Sequence, residues 1–448
     1  MSTPGKRVMG PVFLTVFLDL VGFSVLFPLF PELLEHYLSR EGPDSVIGQL
    51  HANLVELVGD RAQASFAVTA LFGGVLGSVY SILQFAFAPI WGSLSDRVGR
   101  RPVLLVTLAG TAGAYLLWFF AGSFGLLVAS RLIAGIMAGN VATASAVVAD
   151  VYPPAQRSRG MAAVGAAIGL GFVVGPALGA IAYHAVDLTV KMPVWTDRYG
   201  VNPFSSAAAV SLGLACLNWL LVAVRLPETL DRSHVPERRG ILAVGRLGEI
   251  GRPGLVGTHV VYLGYMILFS AMEFTLVFLT TERLEYSAGD NAVMFVFIGL
   301  MIALVQGGFV RRAGPRLGEK RLATTGLVLL VPGFLLVGLV PGVGASGAGV
   351  QLYGGLTLLA AGSAMVMPSL SALASRLAPD GQQGLVQGTL RSMGSLARAI
   401  GPLLGGLAYW SLASSAPYVL GSALLLLPLA LCLRLPDPGV QPAEGSGR

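Results

Sequence analysis

Apolar runs of about membrane-spanning length, separated by short polar breaks, dominate the chain from one end to the other. Twelve windows can be drawn, at 11–34, 66–91, 103–121, 127–149, 160–184, 206–225, 256–280, 289–310, 322–340, 348–374, 384–410 and 416–434. A helix of about 20 apolar residues crosses the hydrocarbon core of a bilayer. The pattern therefore predicts an all-α integral membrane protein with twelve transmembrane helices. Pro and Gly recur inside the windows, and membrane helices tolerate them where neighbouring helices satisfy the freed backbone groups. Pro436, Pro438, Gly439, Pro442 and Gly445 follow the last window and predict a disordered tail over 436–448.

The windows fall into two sets of six. Gly175-Pro176-Ala-Leu-Gly179-Ala in the fifth is echoed 226 residues later by Gly401-Pro402-Leu-Leu-Gly405-Gly406 in the eleventh. The polar run that starts at Gly92 is echoed 216 residues later by Gly308-Phe-Val-Arg311-Arg312-Ala-Gly314-Pro-Arg316-Leu-Gly318-Glu-Lys320. Both offsets are close to half the chain. The economical organisation is a six-helix half over 1–225, a central cytoplasmic loop over 226–254 and a second six-helix half over 255–435. Parallel repeats of this kind belong to transporters that rock two halves about a central site.

Composition agrees with the windows. The 448 residues are 54% hydrophobic and only 12% charged, against about 25% charged in soluble domains. A net charge of +6 would suggest nucleic acid in a soluble protein, but the placement of the cations explains it otherwise. With both termini in the cytoplasm, 21 of the 29 Lys and Arg fall in cytoplasmic segments, five outside and three (Arg131, Arg391, Arg398) within windows. This is the positive-inside bias, and it requires no nucleic-acid partner. Cys216 and Cys432 lie in apolar runs and read as small hydrophobes. No metal or cofactor motif is present, and the lack of a phosphate-binding glycine loop argues against ATP as the energy source.

The most informative run is Gly92-Ser-Leu-Ser-Asp96-Arg97-Val-Gly99-Arg100-Arg101, between the second and third windows. It predicts a tight cytoplasmic loop in which Gly92 and Gly99 permit a turn and close helix approach. Asp96 suits a neighbouring arginine or a helix N-terminus, whose partial positive charge favours an anion. A contact of that kind between the halves would lock one face and break on transport. The competing reading is a topology anchor, which needs the cations but neither Asp96 nor the paired glycines. In the fifth window Ala163, Ala167, Gly171, Gly175 and Gly179 recur every fourth residue and Pro176 bends the helix. That stripe is either plain close packing or a dry seal against leak.

This run resembles the loop signature of the major facilitator superfamily. Arg131-Leu-Ile-Ala-Gly135 resembles the superfamily's fourth-helix arginine motif, and Gly171-Phe-Val-Val-Gly175-Pro176-Ala-Leu-Gly179 its fifth-helix motif in drug/proton antiporters. Leu18-Asp19-Leu-Val-Gly22 through Pro31, and Leu83-Gln84 through Trp91-Gly92, are similar to the tetracycline-efflux branch. The resemblance covers the first half and, in the second, mainly the run after Gly308 and the eleventh helix. It implies the major facilitator fold and antiport. It has a gap: apart from Asp290 at the very edge, the eighth to tenth windows hold no Asp, Glu or His. Tetracycline with its magnesium would want such groups, so a lipophilic solute, neutral or weakly cationic, fits better.

Ionisable residues at membrane depth are functional candidates. Asp19 in the first helix and Glu273 in the seventh are the carboxylates of interest. Arg131 is their natural counter-ion if it faces the cavity, and otherwise reaches for the interface. Arg398 is costlier to bury, with Glu273 a potential partner. Gln84, Asn140, Tyr265, Gln306 and Gln387 offer hydrogen bonds either to substrate or between helices. Phe23, Phe27 and Phe30 face an apolar cleft or lipid, and the long 35–63 connection predicts a short amphipathic surface helix.

The expected function is secondary active export of a lipophilic small molecule in exchange for protons, by alternating access. The expected setting is a monomer, multi-pass in the plasma (inner) membrane, with substrate, protons and lipid as its partners. A proton-coupled importer or uniporter for a sugar or organic acid is the alternative, and a membrane sensor a more distant one. No Ser/His pair or paired-His constellation points to an enzyme.

Overall fold

The computed structural model describes residues 3–58, 64–153, 156–230, 253–286, 288–379 and 382–437. Most of the expected central loop (231–252) and most of the expected tail (438–448) lie outside the described residues.

In chain order the helices are α1 (Thr3–Ser24), α2 (Phe30–Glu41), α3 (Val46–Val58), α4 (Ala64–Val98), α5 (Arg100–Phe119), α6 (Phe124–Ile136), α7 (Asn140–Val151), α8 (Arg157–Ala185), α9 (Leu188–Lys191) and α10 (Pro193–Tyr199). They continue with α11 (Ser205–Arg225), α12 (Pro253–Leu284), α13 (Ala288–Leu304), α14 (Arg311–Leu317), α15 (Glu319–Gly338), α16 (Ala348–Leu377), α17 (Gln383–Ser411), α18 (Ala416–Leu424) and α19 (Leu426–Arg434). Among the described residues there is no strand, as hydrocarbon demands of a chain that must satisfy its backbone within each helix. The long 35–63 connection carries α2 and the amphipathic α3, which buries Ile47 and Leu54 and exposes Val46 and Val55.

Eleven helical stretches of the described residues are long and apolar enough to cross a membrane. The twelve windows differ from these by the eleventh, 384–410. There the chain forms α17, 29 residues long, with Gln383, Gln387, Arg391, Ser395 and Arg398 recurring on one side. That polar side lowers the hydropathy of α17 because it faces other helices. It packs between α4 and α12.

Three interruptions shape the bundle. The fourth window is broken at 137–139, where Trp91 presses on Gly139 and its indole Nε1 donates to the Ile136 carbonyl at 2.6 Å. The break sets Asn140 at the start of α7. The eighth window passes through a π-helical segment, Val305–Val310, between α13 and α14. The expected loop at Gly92–Arg101 shrinks to one residue: α4 runs on through Asp96 to Val98, Gly99 takes φ 120°, and α5 begins at Arg100. Only glycine adopts that backbone readily. Gly318, at φ 82°, makes the same break between α14 and α15.

The glycine stripe of α8 lies against α1. A methyl group on Gly171 would meet Leu20, on Gly175 Ser24 and Val21, and on Gly179 Val25. Ser24 Oγ reaches the Gly171 carbonyl at 3.1 Å across this contact. The eleventh window repeats it: Gly401 and Gly405 of α17 lie on Ser270 and Ala271 of α12. Small residues let the backbones approach, the main source of association where lipid is as apolar as the helices.

Candidate functional site

At the junction of α4 and α5 the backbone of α4 touches that of α17. A Cβ on Gly92 would strike the Gly384 carbonyl, and one on Gly384 the Gly92 carbonyl. Into this gap Asp96 sends both carboxylate oxygens: Oδ1 accepts from Gly384 N at 2.7 Å and Oδ2 from Leu385 N at 2.8 Å. These amides open α17 and have no partner within their own helix, so a carboxylate fits them by hydrogen bonding and by the helix dipole. Arg100, 1% exposed, fixes the same carboxylate from the other side at 2.5 Å and reaches Asp150 at the end of α7 at 2.8 Å. The Glu228 carboxylate then caps α5, accepting from Arg100 N at 2.9 Å and Arg101 N at 3.2 Å. Arg101 Nη2 donates to the Ala223 carbonyl at the end of α11 at 2.6 Å. Among the described residues the Arg97 side chain makes no hydrogen bond or ion pair.

The α14–α15 junction holds a related pair with its signs exchanged. Glu319 follows Gly318 as Arg100 follows Gly99, and it bonds Arg376 at the end of α16 at 2.7 Å. Arg157 Nη1 of α8 donates to the Ser375 carbonyl of α16 at 2.8 Å, a second contact between an early and a late helix.

Deeper in the bundle the predicted residues gather into two groups. Asn140 Nδ2 donates to Asp19 Oδ1 at 2.8 Å, which the break before α7 makes possible. Gln84 Oε1 of α4 accepts from Ser395 Oγ at 2.5 Å and Arg398 Nη2 at 3.1 Å of α17. Glu273 lies exposed on α12, within electrostatic reach of Arg398. Tyr80 joins the groups: it feels the charges of Asp19, Arg131 and Arg398 together, and Gln84 Nε2 reaches its hydroxyl at 3.4 Å. Phe23 packs on Tyr80 at 4.6 Å, and Phe27 and Phe172 extend this aromatic wall.

Arg131 departs from its expected role. It neither pairs with Asp19 or Glu273 nor reaches for the interface. It is buried and lies over the rings of Trp118 and Tyr115 at 5.2 and 5.7 Å, with Nη2 on Ser130 Oγ at 2.9 Å. The aromatic faces supply the negative potential that a carboxylate would.

Of the hydrogen-bonding candidates, Tyr265 and Gln387 join helices. Tyr265 Oη meets Ser363 Oγ at 2.5 Å and Gln387 Oε1 accepts from Ser371 Oγ at 2.8 Å. Gln306, in the π segment, is buried against Gly165 of α8, and its Oε1 accepts no hydrogen bond among the described residues. Away from the spans, burial and then the neighbouring Arg40 hold the His36 imidazole below its ordinary range. No group of three or more His, Cys, Asp or Glu among the described residues is arranged to hold a metal.

Tyr80, Asp150 and Glu228 escaped the sequence reading. Glu228 stands in Pro227-Glu228-Thr229 just past the sixth window and Asp150 at the end of the fourth, so an acid where a window ends beside the arginine-rich face was the available signal.

The Major Facilitator Superfamily family model matches residues 12–317 and 312–448. The chain is thus a multi-pass membrane transporter protein by class, and it belongs to that superfamily. Human "Major facilitator superfamily domain-containing protein 10" is 38% identical over 97% of this chain and 94% of its own length. "Tetracycline resistance protein, class D" of Salmonella ordonez is 28% identical over 94% of this chain and 95% of its own. Among solved structures, "the human organic anion transporter MFSD10 (TETRAN)" superposes with a TM-score of 0.85 at 36% identity, covering 96% of this chain and all of that one. The transporter FucP in the outward conformation, at 14% identity and a TM-score of 0.69 over 96% of this chain and 98% of that one, shares the fold.

Proposed function

We propose that this chain exports a lipophilic organic solute in exchange for protons. Twelve helices with both termini in the cytoplasm, α17 among them, would form two halves that rock about the central cleft of a monomer in the plasma (inner) membrane. The observation that carries this reading is Asp19, a carboxyl at membrane depth whose hydrogen bond is to the neutral amide of Asn140. Without a cation bonded to it, such a group gains and loses a proton as the water around it changes. It is coupled through Tyr80 to Arg398, which is bonded to α4 and in reach of Glu273. Protonation at Asp19 is thereby felt where the halves meet. Asp96 on the α17 amides is the latch of the cytoplasmic face, and the α1–α8 glycine seam a dry wall against leak.

The three arginines in the bundle turn the charge preference away from the neutral or weakly cationic solute that the sequence suggests, towards an anion. The solved relative described as an organic anion transporter supports the same direction.

The test is reconstitution in liposomes loaded with a pH-sensitive dye, with lipophilic organic acids, drugs and sugars added in turn. Solute-dependent proton movement is expected, falling at least about tenfold in Asp19→Asn. Solute movement without proton flux, unchanged in Asp19→Asn, would leave a uniporter instead.

A further inference from the structure

The α14–α15 junction carries more charge than its turn uses. Five cations (Arg311, Arg312, Arg316, Lys320 and Arg321) and one acid, Glu319, stand between positions 311 and 321. Glu319 is buried and bonded to Arg376. Arg311, Arg312, Arg316 and Arg321 are exposed, and among the described residues their side chains make no hydrogen bond or ion pair. The α4–α5 junction spends its cations differently: Arg100 is buried on Asp96 and Asp150, and Arg101 is bonded to the Ala223 carbonyl. A bias of positive charge to one side of a membrane needs only that cations lie in the segments on that side. It does not need four of them held out on ordered helices beside exposed apolar side chains.

The patch runs on into such a face. On α13, Val293, Val296, Leu300 and Leu304 are exposed at spacings of three and four residues, which is one side of a helix. The π-helical turn extends this side to Phe309, 49% exposed, and α14 adds Leu317. Gly307 and Gly308 in the turn leave open space beside the backbone. From Leu300 to Phe309 the helix rises roughly 13 Å, close to the depth of one leaflet of a hydrocarbon core about 30 Å thick. Arg311 and Arg312 come next, where that leaflet ends. The ligand that matches has an apolar tail as long as a leaflet and an anion at its tip. A free anion or an acidic protein surface lacks the tail, and a phospholipid has both. A guanidinium also suits a phosphate, to which it donates two parallel hydrogen bonds.

We propose that α14 binds an anionic phospholipid of the adjoining leaflet. Arg311, Arg312 and Arg316 hold its headgroup, and Leu300, Leu304 and Phe309 lie along an acyl chain. A zwitterionic lipid offers the same chains, but its ammonium group opposes the arginines, so the site selects by the net charge of the headgroup. The proposal does not depend on which solute is carried or on proton coupling.

The full chain in detergent is titrated with dioleoyl phosphatidylglycerol and with dioleoyl phosphatidylcholine, and bound lipid is counted by native mass spectrometry. Phosphatidylglycerol should bind at least about tenfold tighter, and the preference should shrink in high salt. Arg311→Gln with Arg312→Gln should weaken phosphatidylglycerol by about 25-fold, near fivefold for each cation lost, and leave phosphatidylcholine unchanged. The control is Arg225→Gln with Arg434→Gln, which removes two exposed cations from the ends of α11 and α19 and should weaken binding less than about twofold. All four side chains are exposed, so the variants should melt as the wild type does. If the 311/312 variant unfolds early, Arg316→Gln with Arg321→Gln carries the same test and the same expected loss. Equal binding of the two lipids would overturn the proposal. An equal loss in the patch and control variants would do so too, by showing a diffuse attraction to the whole face. Displacement of the lipid by inorganic phosphate at a matching concentration would assign the arginines to a free anion and also overturn it.

Discussion

The α4–α5 and α14–α15 junctions are built alike and do different things. Each turns on a single glycine at positive φ, and each is followed by a buried charge that pairs with the end of a later helix. In the first the charge is Arg100 on Asp150; in the second it is Glu319 on Arg376. The first also has Asp96, which reaches across to the amides that open α17. Counting back the same three residues from Gly318 gives Pro315, which offers no carboxylate. On this face Asp96 of α4 takes two backbone amides of α17, and Arg157 of α8 donates to a carbonyl of α16. The glycine turn is common to both junctions, and a carboxylate three residues before it stands in one.

The inequality can be broken from its strong side first. Asp96→Asn removes a charge from a buried pair and from two amides, and should cost about 3–5 kcal/mol, as such losses do. Chemical unfolding of the purified protein measures it, and a change under about 1 kcal/mol would mean that the latch contributes no more than a surface pair. Next, Glu319→Arg should destabilise by roughly 3 kcal/mol and the double change with Arg376→Glu should restore more than half. The restored pair would then carry the signs of Arg100 and Asp150. A double variant no better than the single one would show that the pair depends on its sign and is not a simple structural clip. The smallest effect belongs to Glu228→Gln, where an exposed cap of α5 weakens by about 0.5–1 kcal/mol and the difference shrinks in high salt. A loss as large as that of Asp96→Asn would put Glu228 within the latch itself.

The sequence made the helices legible because hydrocarbon imposes one rule on every residue of a span. It also offered Asp96 two partners, a neighbouring arginine or a helix N-terminus, and the residue meets one of each. It could not show which N-terminus, because Asp96 and Gly384 lie far apart in the chain. The same distance hid Asp150 and Glu228, whose partners sit in other windows. Charge counting could not place Arg131: the rings of Tyr115 and Trp118 look apolar in a sequence, yet present a negative face to a cation. The polar content of α17 pulled the other way. It reads as a weak span by hydropathy, while in the structure that content marks the side facing other helices.

The opposite signs at the two junctions also bear on how the chain assembles as it is made. Two similar bundles that emerge in succession risk exchanging equivalent helices. Were α15 to take the place of α5, Glu319 would face Asp150, and Arg100 in the vacated position would face Arg376. Both encounters set like charge on like in a place too dry to screen it. The exchange of signs would thus disfavour a swap of α5 and α15.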